Sequence, residues 1–127
     1  MALNILVVDD SMVMRAMIIK TLCLSRLPLQ EIHQAENGRQ ALEVLARNWI
    51  DLAFVDINMP VMDGVELVAR IREMPGIEGL PVIVVSTENS SNRISVLQGS
   101  SVQFVHKPFS VETLQTAVTE MTGVACE

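Results

Sequence analysis

The sequence predicts an α/β protein, a doubly wound parallel sheet of five strands covered by five helices. Two observations predict it: short β-branched, apolar runs recur along the chain, and stretches with apolar residues at helical spacing separate them. A third agrees with them. Chemically active side chains crowd just after several strands, where the crevice of an open α/β sheet lies.

Taken in order, the strands are expected near residues 4–8, 31–35, 52–55, 82–86 and 103–105, and three of them are nearly all apolar, as central parallel strands should be. The helix after the first strand sets Met14, Ile18 and Leu22 on its core face and turns Arg15 and Lys20 to solvent. The second helix, from about Gln40, buries Ala41, Leu42 and Leu45. Asp63 precedes Gly64 and the periodic run Val65, Val68, Ile71, so its carboxylate is expected to cap the third helix. Ser110 should do the same for the last helix, whose core face is Val111, Leu114, Val118 and Met121. No repeat or low-complexity tract interrupts the series.

A length of 127 residues is the size of one domain, so residues 1–127 are read as a single unit with no output domain after the last helix. The longest apolar runs are of strand length, far below a membrane span, and the start, MALNILVVDD, lacks a basic leader. A cytoplasmic protein without a membrane partner is expected. Cys23, in a predicted helix, reads as a buried small hydrophobe and Cys126 as a loose tail thiol, rather than as a disulfide or metal framework. A net charge of −6 without a Lys/Arg cluster argues against a nucleic-acid partner. The eight methionines are read as adaptable core filler.

Asp9 and Asp10 end the first strand, Asp56 the third and Ser86 the fourth, and Lys107 follows the fifth. One edge of the sheet thus collects three carboxylates, a hydroxyl and an ammonium. An acid pair after a strand often only solvates a loop, and a lone strand-end serine or surface lysine means little; the convergence of five carries the signal. Clustered carboxylates repel, and a hard divalent cation with oxygen ligands relieves them, Mg²⁺ fitting best. Phosphoryl transfer to Asp56 as nucleophile, with Lys107 and Ser86 holding phosphoryl oxygens, is the chemistry implied.

The segments VVDDS at 7–11, VDINMPVMDG at 55–64, PVIVVS at 81–86 and HKPF at 106–109 resemble the motifs of bacterial two-component response-regulator receiver domains, in order and near the usual spacings. DDS followed by Met14 and Arg15 is most similar to the single-domain chemotaxis, CheY-like branch. The resemblance implies a flavodoxin-like receiver fold and phosphorelay signalling. By it Asp56 accepts a phosphoryl group from the phosphohistidine of a sensor histidine kinase, and Asp10, Asp56 and the Asn58 carbonyl bind Mg²⁺, with Asp9 acting through water. Lys107 pairs with the phosphoryl group, the Lys107–Pro108 peptide is cis, and Ser86 and Phe104 are the switch pair. Asn58, Thr87 and Glu88 tune dephosphorylation: the polar Asn58 and Glu88 admit water, whereas the bulk of Thr87 crowds it. The downstream target is expected on the face of the fourth helix, fifth strand and fifth helix. The molecule is expected to be a monomer or a weak, phosphorylation-dependent dimer. It is a phosphoacceptor that promotes its own phosphorylation and dephosphorylation rather than an enzyme.

Some positions depart from the family's commonest pattern. Thr87 stands where Ala is usual, Phe104 where Tyr is common, and the GSSVQF connection at 99–104 is one residue longer. His106 precedes the lysine where an aliphatic residue is common, and it is read as incidental rather than as a pH sensor. The lone tryptophan, Trp49, precedes the third strand and is not beside the acceptor. A flavodoxin-like electron carrier would share the fold, but its phosphate loop after the first strand should be rich in Ser, Thr and Gly rather than acidic. An aspartate-nucleophile phosphatase usually has a second acid two residues after the nucleophile, where this chain has Asn58. A further alternative keeps the receiver chemistry but serves a separate or fused transcriptional or enzymatic output.

Overall fold

Alternation of side chains along four strands divides the apolar residues between two faces of one sheet. The computed structural model describes residues 2–57, 59, 61–86 and 102–124, with Ser86 through its backbone only. Their elements are β1 (Leu3–Val8), α1 (Met12–Leu24), β2 (Leu29–Ala35), α2 (Gly38–Arg47), β3 (Leu52–Val55), α3 (Gly64–Glu73), β4 (Val82–Ser86), β5 (Val102–His106) and α4 (Val111–Thr122). All strands pair in parallel in the order β2-β1-β3-β4-β5. The winding reverses at β1, which places a topological switch point between the carboxyl ends of β1 and β3.

Leu3, Ile5 and Val7 of β1, Leu52 and Phe54 of β3, and Ile83 and Val85 of β4 meet Ile18 and Leu22 of α1 and Leu114, Ala117 and Val118 of α4. On the opposite face Leu6, Val8, Ala53, Val55, Val82 and Val84 meet Ala41 and Leu45 of α2 and Leu67, Val68 and Ile71 of α3. The period of two in each strand is what sorts them. Each such fully buried aliphatic side chain contributes roughly 1.5–3 kcal/mol, so the two-sided burial of β1, β3 and β4 fixes the sheet on which the acids stand.

Four helices lie among the described residues. The fourth of the five expected helices falls within residues 87–101, outside them, so α4 occupies the place of the expected fifth. The expected strands are present, with β2 beginning two residues earlier because its pairing with β1 starts at Leu3 and Leu29. β5 gains one residue at each end through its pairing with β4, from Val82 and Val102 to Ser86 and His106. The expected caps form: Asp63 accepts from the Glu66 amide at 2.9 Å and Ser110 from that of Thr113 at 3.1 Å. Ser11 caps α1 in the same way, accepting from Met14 N at 3.2 Å.

Three expectations about side chains fail. Arg15 is buried rather than turned to solvent, because it stands three residues before Ile18 and seven before Leu22 on the inward stripe of α1. Cys23 is exposed, since the residue after Leu22 lies about 100° round the helix from that stripe. The methionines divide: Met59 is buried and Met14, Met62, Met74 and Met121 pack at the core margins, but Met12 and Met17 are exposed on α1. Among the described residues, no helix is long and apolar enough to cross a membrane.

Candidate functional site

Where β1 ends, the backbone amide of Asp9 donates to Ala35 O of β2 at 3.1 Å, and the amide of Asp56 donates to Val8 O at 2.9 Å. These two bonds carry the ladder one step past the strands and bring the acids of two strands side by side. Asp9 is 2% exposed and Asp56 8%, while Asp10 opens to solvent. One carboxylate oxygen from each of the three lies within 4.8 Å of the others. The expected gathering of Asp9, Asp10 and Asp56 is therefore present.

Lys107, after β5, reaches across from the other side. Its Nζ lies 3.3 Å from Asp9 Oδ2 and 3.7 Å from Asp56 Oδ1, and it is largely buried. The other Asp9 oxygen accepts from the Ser11 amide at 2.9 Å, so the α1 cap and the acid pair are one local construction. The peptide between Lys107 and Pro108 is cis. Three carboxylates against this ammonium leave the crevice short of positive charge, and the donors are hard oxygens. Two ligands across one Mg²⁺, at about 2.1 Å each, stand up to about 4.2 Å apart; the acidic grouping is within a small adjustment of that span. The residues present fit such an ion.

Gly64 positions the segment that follows Asp56. Its amide donates to Ile57 O at 2.9 Å, and a Cβ there would stand 2.5 Å from Asp56 O and 2.7 Å from Ile57 Cα. Only a residue without a side chain lets the start of α3 approach the backbone of Asp56 so closely. Within the same connection Val61, exposed, has φ 69°, a conformation β-branched residues seldom adopt.

Phe104 lies in β5 opposite Val84, half-buried against the α2–α3 side of the core. It also borders a cleft of about 380 Å³ between β5 and α4, with Gln103, Glu112, Thr116 and Glu120. His106 is exposed. Trp49 is 70% exposed and donates from Nε1 to Asp51 Oδ1 at 2.9 Å, at the amino end of β3 rather than at the Asp56 end. Asn58, Thr87, Glu88, Cys126, the side chain of Ser86 and residues 99–101 of the GSSVQF connection lie outside the described residues. Arg15 was the residue that sequence reasoning missed: its Nη1 donates to Asp9 O at 2.6 Å and its Nε to Gln34 Oε1 at 3.0 Å. The available signal was its helical register with Ile18 and Leu22.

The sequence matches the response regulator receiver domain over residues 5–119. A chemotaxis protein CheY homolog of Campylobacter jejuni is 34% identical over 123 residues, covering 95% of this chain and 93% of that protein. The protein-glutamate methylesterase/protein-glutamine glutaminase of Geobacillus kaustophilus is 43% identical over 111 residues, which are 84% of this chain but 30% of that enzyme. Among solved structures, the chemotaxis response regulator CheY4 of Vibrio cholerae superposes with a TM-score of 0.83 at 30% identity, over 95% of this chain and 99% of that one. The flavodoxin-like sheet order, the acids at its switch point and these likenesses converge: the chain belongs to the response regulator receiver family, in its CheY-like branch, and works in phosphorelay signal transduction.

Proposed function

We propose that Asp56 accepts a phosphoryl group from the phosphohistidine of a sensor histidine kinase and that the modified domain then engages a downstream protein. The observation that carries this reading is the grouping of Asp9, Asp10 and Asp56, with Lys107 Nζ 3.3 Å from Asp9 and 3.7 Å from Asp56. A carboxylate oxygen of Asp56 attacks phosphorus, the bond from phosphorus to the donor imidazole nitrogen breaks, and the nitrogen leaves with its electron pair. Lys107 moves its charge from the carboxylates to the phosphoryl oxygens. Mg²⁺, held by Asp10, Asp56 and the Asn58 carbonyl, with Asp9 acting through water, would supply the charge that offsets both the carboxylates and the incoming phosphoryl oxygens.

Ser86 then contacts the phosphoryl group and Phe104 turns inward, altering the face of the fourth expected helix, β5 and the last helix, which the downstream protein reads. Asn58 and Glu88 admit the water that ends the signal, and Thr87 restricts it. The chain acts as a phosphoacceptor rather than as a turnover enzyme, in the cytoplasm, as one receiver domain, monomeric or weakly dimeric when phosphorylated. The likeness to part of a methylesterase favours a second reading, a receiver module working with a separate or fused catalytic or transcriptional output. Capture from native lysate with Mg²⁺ and beryllofluoride separates the two by the partner retained. The phosphoacceptor reading itself is tested by acetyl phosphate with Mg²⁺: the intact mass should rise by one phosphoryl group in the wild type and stay unchanged in Asp56→Asn. Phosphate on the variant would remove Asp56 as acceptor.

A further inference from the structure

Of the charged side chains near the acids, Arg15 has no part in the mechanism above. It is 7% exposed, unusual for a guanidinium, which is desolvated only at a cost unless its N–H groups are satisfied. Its bonds go to neutral acceptors, Asp9 O at 2.6 Å and Gln34 Oε1 at 3.0 Å. Charge neutralisation of a contacting carboxylate therefore does not explain where it points.

The contact with Asp9 O falls on the peptide that joins Asp9 to Asp10. Every other polar part of Asp9 is also held: its amide by Ala35 O at 3.1 Å, Oδ1 by Ser11 N at 2.9 Å and Oδ2 by Lys107 at 3.3 Å. Asp10, by contrast, is exposed, and its direction depends on the peptide before it. We infer that Arg15 is a positioning residue for the cation site: by fixing the Asp9 carbonyl from within α1 it orients the Asp9–Asp10 peptide, and so the Asp10 carboxylate, toward Asp56. The Nε bond to Gln34 ties the same side chain to β2. A hydrogen bond from a charged donor is worth about 1.5–3 kcal/mol, enough to hold a peptide in one orientation.

This inference rests on the metal reading of the acid cluster, and its test separates the two. Mg²⁺ is titrated calorimetrically into the wild type, Asp10→Ala, Arg15→Gln, Arg15→Lys and Gln34→Ala. Arg15→Gln should bind Mg²⁺ about tenfold more weakly, equivalent to about 1.4 kcal/mol, and Arg15→Lys, which keeps a long side chain with an N–H donor able to reach Asp9 O, should recover part of the loss. Gln34→Ala should stay within about twofold of wild type, because it leaves the contact with Asp9 in place. Labelling by acetyl phosphate should return toward the wild-type rate in both Arg15 variants once Mg²⁺ is saturating, since the defect lies in cation binding. Wild-type Mg²⁺ affinity in a folded Arg15→Gln, however much its stability falls, would overturn the inference. If that variant does not fold, Arg15→Lys decides: a measurably weakened affinity supports the inference and an unchanged one overturns it. A loss in Gln34→Ala equal to that in Arg15→Gln would place the effect in the tie between α1 and β2, against the role assigned at Asp9. Identical weak titrations of wild type and Asp10→Ala would instead defeat the metal reading, and this inference with it.

Discussion

Lys107 and a bound cation compete for the same carboxylates. With Nζ 3.3 Å from Asp9 and 3.7 Å from Asp56, the ammonium supplies the counter-charge that a divalent ion would otherwise supply. Lys107→Ala should therefore lose about 1.5–3 kcal/mol of stability without Mg²⁺, the range of a hydrogen bond to a charged group. It should also bind Mg²⁺ several-fold more tightly, because a neighbouring like charge is gone. Urea unfolding with and without Mg²⁺ measures both, and an unchanged Mg²⁺ response would mean that the ammonium and the ion do not share the site. Gly64→Ala tests a different constraint, a Cβ meeting backbone at 2.5 Å that can move only with the Asp56 segment. It should cost about 1–3 kcal/mol, read as a lowered urea midpoint. At this scale Asp9, Asp10, Asp56 and Lys107 were legible because strand ends can be read from apolar runs. The burial of Arg15 and the exposure of Cys23 follow from helical register on α1, which overrides what residue type alone suggests.

Among the elements, α3 connects the core to the acceptor segment, and its first turn carries that connection. Asp63 accepts from Glu66 N at 2.9 Å while the next residue, Gly64, donates to Ile57 O at 2.9 Å. Asp63→Ala should cost about 1 kcal/mol, visible in the urea midpoint; a change below a few tenths would show that solvent replaces the cap at no loss. The strands and caps were readable because β-branched runs and cap chemistry are local signals. The start of β2 was not, because its exposed edge mixes Gln30, Glu31, His33 and Gln34 with the apolar residues and its length follows from pairing with β1. The winding of helices onto both faces was legible for the same reason that the core is two-sided: β1, β3 and β4 are apolar at nearly every position.

For the whole molecule, ion binding to the folded acid cluster alone is linked to stability. Mg²⁺ at a hundredfold excess over its dissociation constant should add about 2.7 kcal/mol, seen as a raised melting temperature that is absent in Asp10→Ala; an equal rise in that variant would remove Asp10 as a ligand. Trp49, exposed at the amino end of β3 and bonded to Asp51, should change its emission little when beryllofluoride and Mg²⁺ are added. The central claim is that one aspartate, reached through this crevice, carries the phosphoryl group, and reductive trapping tests it most directly. Borohydride converts an aspartyl phosphate to homoserine, whose position fragment mass spectrometry then reads. After acetyl phosphate and Mg²⁺, homoserine is expected at Asp56 alone; homoserine at Asp9 or Asp10, or at Asp56 in protein treated without Mg²⁺ to the same extent, would contradict the account.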